Sequence, residues 1–264
     1  DHFGPSCPDC GGSLISGLKV YDTHTHLGTA FHSGRTMDAG TMLRHMDASG
    51  IDRNLLIPWP VVADYKHEHD LIARACREHP DRFTGALCVD PFLPEQWVKD
   101  EIRRGIDELG MRALKLQPQF SGLNPMSAKG SWFFGLANEY RLPVVVHTGS
   151  GAPFALPSLL ISPAREYPDL PIIIGHGGSP IYYLEAIIAA QVCRNLLIDV
   201  SSLMPHHTLH VLQHVEASRV MAGSDLPESA AIELGKVASL DIPEQTRRQI
   251  LWDTPSRVFD GVAD

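Results

Sequence analysis

The chain has 264 residues, 44% of them hydrophobic and 20% charged, with 22 Gly and 20 Pro, a composition that excludes extended disorder, collagen-like repeats and coiled coil. Its 22 Lys and Arg against 31 Asp and Glu leave a net charge of −9, so the electrostatic footprint of a nucleic-acid or anionic-membrane binder is missing. A small molecule is the expected partner, and no apolar run approaches the length of a membrane span.

The chain opens on an arm, residues 1–17, that carries Cys7-Pro8-Asp9-Cys10-Gly11-Gly12. This resembles one knuckle of a zinc ribbon, in which two thiolates grip a metal from one side. No second C-x-x-C exists, since Cys76, Cys88 and Cys193 are solitary. Two readings therefore stand: a structural Zn²⁺ at Cys7 and Cys10 completed by His67 and His69 or by another subunit, or a flexible thiol-bearing extension. Five scattered Cys favour a reducing, cytoplasmic setting. The N-terminus shows no signal-peptide pattern, although a trimmed start at Asp1 fits equally well.

Beyond the arm, short apolar segments recur about every 30 residues, separated by segments of helical period, which argues βα units and a parallel sheet. The predicted strands are 18–22, 53–57, 83–89, 111–116, 143–146, 171–175, 196–200 and 219–222. Between the third and fourth, Pro94 opens a helix that places Val98, Ile102, Ile106 and Leu109 on one face before Gly110 stops it. Helices are also expected over 70–79, stopped by Pro80, and over 131–140. No linker divides the chain, so residues 18–264 read as one domain, with a homo-oligomer compatible.

Four of the predicted strands end on residues that bind metals or move protons. The first runs into Asp22-Thr23-His24-Thr25-His26, the fifth into His147, the sixth into Gly175-His176 and the eighth into Gly223-Ser224-Asp225. In a closed parallel barrel all strand C-termini open on one face, so these residues would converge there. His24 and His26, two apart on an extended backbone, point the same way and are spaced to share a cation. Taken singly, each histidine also reads as a core residue bonded to backbone.

In that order and spacing the chain resembles the amidohydrolase superfamily, and within it the amidohydrolase-2 group of metal-dependent hydrolases and decarboxylases. YDTHTHLG, VVVHTGSG, IIIGHGGSP and MAGSDLP carry the resemblance, with REHPDRFTGALCVDP, ALKLQP and ILWDTPSRVF, over roughly residues 18 to 260. It implies a single (β/α)8 TIM barrel, regular or distorted, with His24, His26, His147 and Asp225 as ligands of one divalent metal and His176 beside it. Zn²⁺ suits imidazole and carboxylate donors, and an open position would hold a water whose proton His176 or Asp225 could receive.

Lys115, at the end of the fourth strand, is read as a cation facing substrate or a carboxylate, or as a carbamylated bridge between two metals as in binuclear members of the superfamily. Gln117, Trp59, and His32 with Arg35 follow the fourth, second and first strands and are candidates for substrate contact, along with ordinary loop roles. His206, His207, His210 and His214 follow the seventh strand. Helical spacing there suggests a solvated face, with His206 or His207 the ones placed to reach substrate. The reading that results is a hydrolase using metal-activated water on an ester, lactone or amide-like bond, with His176 and Asp225 handling protons. The runner-up is a non-oxidative decarboxylase of an unsaturated or aromatic acid; a metal-free ligand-binding barrel is the alternative of another class.

Overall fold

The structure, a computed structural model, describes residues 15 and 17–261. The Cys7 and Cys10 pair lies outside the described residues. Nine strands are formed among those described: β1 (Tyr21–Thr29), β2 (Thr36–Met37), β3 (Arg53–Pro58), β4 (Phe83–Cys88), β5 (Ala113–Leu116), β6 (Val144–His147), β7 (Ile172–Gly175), β8 (Leu196–Asp199) and β9 (Val220–Met221). Apart from β2, which folds back antiparallel on the end of β1, the strands run parallel in chain order. The sheet curls until its last segment meets its first. Thr23 N donates to Ala222 O at 3.0 Å and Asp225 N to His24 O at 2.7 Å across the seam. All eight predicted strands are present, each followed by a helix, which is the TIM-barrel arrangement.

Two apolar layers explain why the strands read as nearly continuous hydrophobic runs. Leu55, Ile57, Ala86, Ala113, Val145, Ile173, Leu197 and Met221 fill the barrel interior, and Phe259 joins Tyr21 there from the C-terminal segment Ser256–Asp260. The alternate residues, such as Leu56, Leu114, Val144, Val146, Ile172, Ile174 and Ile198, face the helices. Among these helices, Tyr65–Glu78 starts at Asp64, whose side chain accepts from His67 N, and Ala128–Glu139 starts at Ser127, which accepts from Gly130 N.

The first strand differs from expectation in a way that matters. It does not stop at Asp22 but runs to Thr29, and its pairing with β3 slips between Asp22 and Thr25, a β-bulge. Tyr21 points into the barrel, so a regular period of two would aim Thr23 and Thr25 inward. The extra residue reverses the parity. Thr23 and Thr25 instead donate their hydroxyls to Ala222 O and Leu55 O of neighbouring segments, while the His24 and His26 rings approach to 5.6 Å.

Candidate active site

Counting upward by two from each inward-facing core residue gives the next layer of the barrel: Trp59 above Ile57, Cys88 above Ala86, Lys115 above Ala113, His147 above Val145, Asp199 above Leu197 and, four along, Asp225 above Met221. His24 and His26 join that layer through the bulge. Gly223 leaves them room, because a Cβ there would come within 2.5 Å of the His24 Cβ. His176 and Asp225 hold backbone φ of 62° and 64°, a region costly for residues with a Cβ and frequent at functional sites.

Hydrogen bonds decide which nitrogens face inward. His24 Nδ1 lies 2.9 Å from Asp199 Oδ2, and His26 Nδ1 lies 3.1 Å from the carbonyl of Pro58, both acceptors. Each ring therefore carries its proton on Nδ1, and in the neutral imidazoles both Nε2 atoms present lone pairs. They point at Asp225, whose Oδ1 is 3.7 Å from His24 Nε2 and 3.4 Å from His26 Nε2. Burial would raise the Asp225 pKa, but the histidines around it outweigh that and hold it far below the usual carboxylate range. Three acceptor atoms with no proton between them thus converge, all within 4.8 Å of one another. Such a donor set fits a divalent cation of borderline character.

One cationic group already touches this cluster. Lys115 is fully buried and its Nζ lies 2.6 Å from His24 Nε2. Burial pushes its pKa down to about 8, against the pull of Asp225 and Asp199.

His147 stands beside the cluster rather than in it. Its ring meets His176 edge-on at 4.8 Å and its Nε2 donates to Ser150 O at 3.0 Å; burial and Lys115 push its pKa down to about 3. His176 stacks on His24 at 4.4 Å and its Nδ1 lies 2.8 Å from Ser201 Oγ; burial, then the neighbouring His24, lowers its pKa well below the ordinary value.

The substrate-contact candidates are placed unevenly. Trp59 is buried, stacks on His26 at 5.0 Å and donates its Nε1–H to Gly28 O. The Arg35 guanidinium lies 5.5 Å over the Trp59 ring and pairs with Glu228. Gln117 is buried and accepts from Gln119; it lines a small cleft with Tyr65, Cys88, Asp90 and Phe120, and His32 meets Phe120 at 5.5 Å. His206 and His207 are not brought to this group. They touch each other, and His207 stacks on Tyr183 at 4.1 Å.

His69 cannot complete a site with Cys7 and Cys10 as expected from sequence. Its Nδ1 is 2.6 Å from Glu101 Oε1 and its Nε2 accepts from Cys88 N at 3.2 Å, so both ring nitrogens are committed in the core. Conversely, Asp199 and Ser201 went unnoticed in sequence, although strand seven ends on Asp199 just as the fifth ends on His147.

A family model described as Amidohydrolase matches residues 33–261. No curated protein matches the chain. Among solved structures, 5-carboxyvanillate decarboxylase from Novosphingobium aromaticivorans, complexed with manganese and 4-hydroxy-3-methoxy-5-nitrobenzoic acid, superposes with a TM-score of 0.75 at 20% identity, covering 95% of this chain and 97% of that one. The 2,6-dihydroxybenzoate decarboxylase from Rhizobium gives 0.67 at 17% identity, covering 92% and 99%. A TIM-barrel protein of Bordetella bronchiseptica described as uncharacterized gives 0.74 at 17%, also covering 92% and 99%. At these identities the likeness is one of fold.

Proposed function

The chain belongs to the amidohydrolase-2 family, and on that premise we propose that it is a divalent-metal-dependent, non-oxidative decarboxylase of an aromatic or unsaturated carboxylic acid. The observation that carries the metal is the convergence of the His24 Nε2, His26 Nε2 and Asp225 Oδ1 lone pairs, whose only protons lie on the far side of each ring. The family admits both hydrolysis and decarboxylation. The hydrolytic reading favoured by sequence gives way because solved structures with this fold include decarboxylases of hydroxylated benzoates.

When bound, the metal supplies a Lewis-acid anchor for a substrate oxygen. His24, His26 and Asp225 would hold it, with His147 as a further ligand. Overall a carboxylate takes up one proton at the carbon that bears it and releases CO₂, the electron pair of the broken C–C bond returning to the unsaturated system. The proton comes from solvent, and His176 is the group assigned to relay it, taking it up before passing it to carbon. Lys115 keeps positive charge beneath the site, and Trp59, stacked on His26, backs that ligand from behind.

The test incubates protein loaded with Mn²⁺ or Zn²⁺ with 5-carboxyvanillate, 2,6-dihydroxybenzoate and ester or lactone controls, in D₂O and in ¹⁸O-water. Stoichiometric CO₂ with one deuteron on the vacated carbon is expected, abolished by a chelator and restored by metal. Label from ¹⁸O-water in a newly formed acid, without CO₂, would establish hydrolysis instead.

A further inference from the structure

We infer that Ser201 is a positioning residue: with Asp199 it locks His176 in the Nδ1–H tautomer, so that Nε2 is the atom that takes up and returns a proton. The role in turnover rests on the decarboxylase reading above; the tautomer does not.

The argument is one of counting protons. Asp199 is a hub at the end of β8. Its Oδ2 accepts from His24 Nδ1 at 2.9 Å, from Ser201 Oγ at 2.7 Å and from the backbone N of His176 at 3.2 Å, while Oδ1 accepts from Ser201 N at 2.9 Å. Both of its oxygens thus accept from backbone N–H groups, which can only donate, and the carboxylate serves as an acceptor throughout. Ser201 has a single hydroxyl proton, and the carboxylate claims it. The 2.8 Å contact between Ser201 Oγ and His176 Nδ1 must then use a proton on Nδ1. The opposite assignment, Ser201 donating to His176, would press an oxygen lone pair against a buried carboxylate at 2.7 Å with no proton between them.

Nothing about the ring is left loose. His24 stacks on one side of it at 4.4 Å and His147 meets it edge-on at 4.8 Å. Its backbone sits at φ 62° and is tied by its own N–H to Asp199, the carboxylate that also holds Ser201. Among the described residues no hydrogen bond is made by Nε2, which is the nitrogen left for substrate. One buried carboxylate thus sets the tautomer of two imidazoles, His24 directly and His176 through a hydroxyl.

Nitrogen spectroscopy tests this without reference to turnover. In Zn²⁺-loaded protein carrying ¹⁵N-histidine, with His176 assigned from the signals missing in His176→Gln, two-bond proton–nitrogen correlations at pH 7.5 should show a protonated Nδ1 and an unprotonated Nε2. Ser201→Ala should convert this to a mixed or Nε2–H pattern, and Ser201→Thr should restore it. On the decarboxylation substrate, Ser201→Ala should lower kcat by about 10-fold or more with KM within about 3-fold, and Ser201→Thr should recover most of it. A wild-type Nε2–H tautomer, or an unchanged tautomer in Ser201→Ala, overturns the inference; the wild-type measurement stands even where Ser201→Ala fails to fold. The expected spectra with no CO₂ from any acid would uphold the tautomer lock and defeat the decarboxylase reading alone.

Discussion

Glu101→Gln is expected to destabilise the barrel by about 3 kcal/mol at neutral pH and to remove part of its acid sensitivity. The Glu101 side chain is fully buried between two helices, Tyr65–Glu78 and Glu95–Asp107, and receives His69 Nδ1 at 2.6 Å, Arg104 Nη2 at 2.7 Å and Arg104 Nε at 2.9 Å. Through His69 it also reaches the backbone of Cys88 at the active-face end of β4. Burial alone would raise its pKa, yet the hydrogen bonds from His69 and Arg104 outweigh that and bring it from 4.5 to about 2. At about 1.4 kcal/mol per tenfold change, the difference is about 3 kcal/mol. The sign follows from a folded pKa below the unfolded one. The contribution is complete above the unfolded value of 4.5, is lost as pH falls toward about 2, and is less than half intact at pH 3. Thermal melts of wild type and variant should differ by roughly 6–12 °C at pH 7, and the gap should narrow steadily below pH 4.5. Equal melting temperatures at pH 7, or a gap that stays constant on acidification, would refute the account.

Lys115→Met removes the buried cation that touches His24 Nε2, and Mn²⁺ titrated into the metal-stripped variant should bind at least about 10-fold more tightly than to wild type, since like charges this close repel by several kcal/mol even at an effective dielectric of 20. Weaker or unchanged binding in calorimetry would show instead that Lys115 supports the ligands. Gly28→Ala should cost about 2 kcal/mol or more, because Gly28 has φ +97° and a Cβ there would lie 1.6 Å from Oε2 of the buried Glu68. An unchanged melting temperature would count against that packing.

The strands were legible because a barrel strand covered on both faces must be apolar throughout, and Val144-Val145-Val146 and Ile172-Ile173-Ile174 show that directly. The helix over 128–139 begins three residues before its predicted start, since Ser127, not the apolar periodicity, supplies the cap. What periodicity did not disclose is the bulge. Nothing in Tyr21-Asp22-Thr23-His24 distinguishes a strand that keeps its parity from one that slips by a residue, because both faces of β1 are buried and the slip is set by its pairing with β3. That His69, one of the completions considered for the arm, is committed to the core was hidden for a related reason: a histidine on a helix reads as available until the acid opposite it is known, and Glu101 lies thirty-two positions away.

The same limit explains which parts of the site could be read. A residue that offers a lone pair to the barrel mouth declares itself by its type and its place at a strand end, so His24, His26, His176 and Asp225 could be proposed from sequence. Residues that decide which nitrogen carries the proton do not declare themselves. Asp199 is a strand-end carboxylate like Asp225, yet it faces His24 Nδ1 and the Ser201 hydroxyl, while Asp225 faces the Nε2 atoms. The two carboxylates therefore act in opposite senses on the same histidine: Asp199 holds the His24 proton on its far side, and because it does, the near side can only accept. A cation of two charges suits such an arrangement of acceptors, and among the described residues Lys115 meets it with a positive charge of its own.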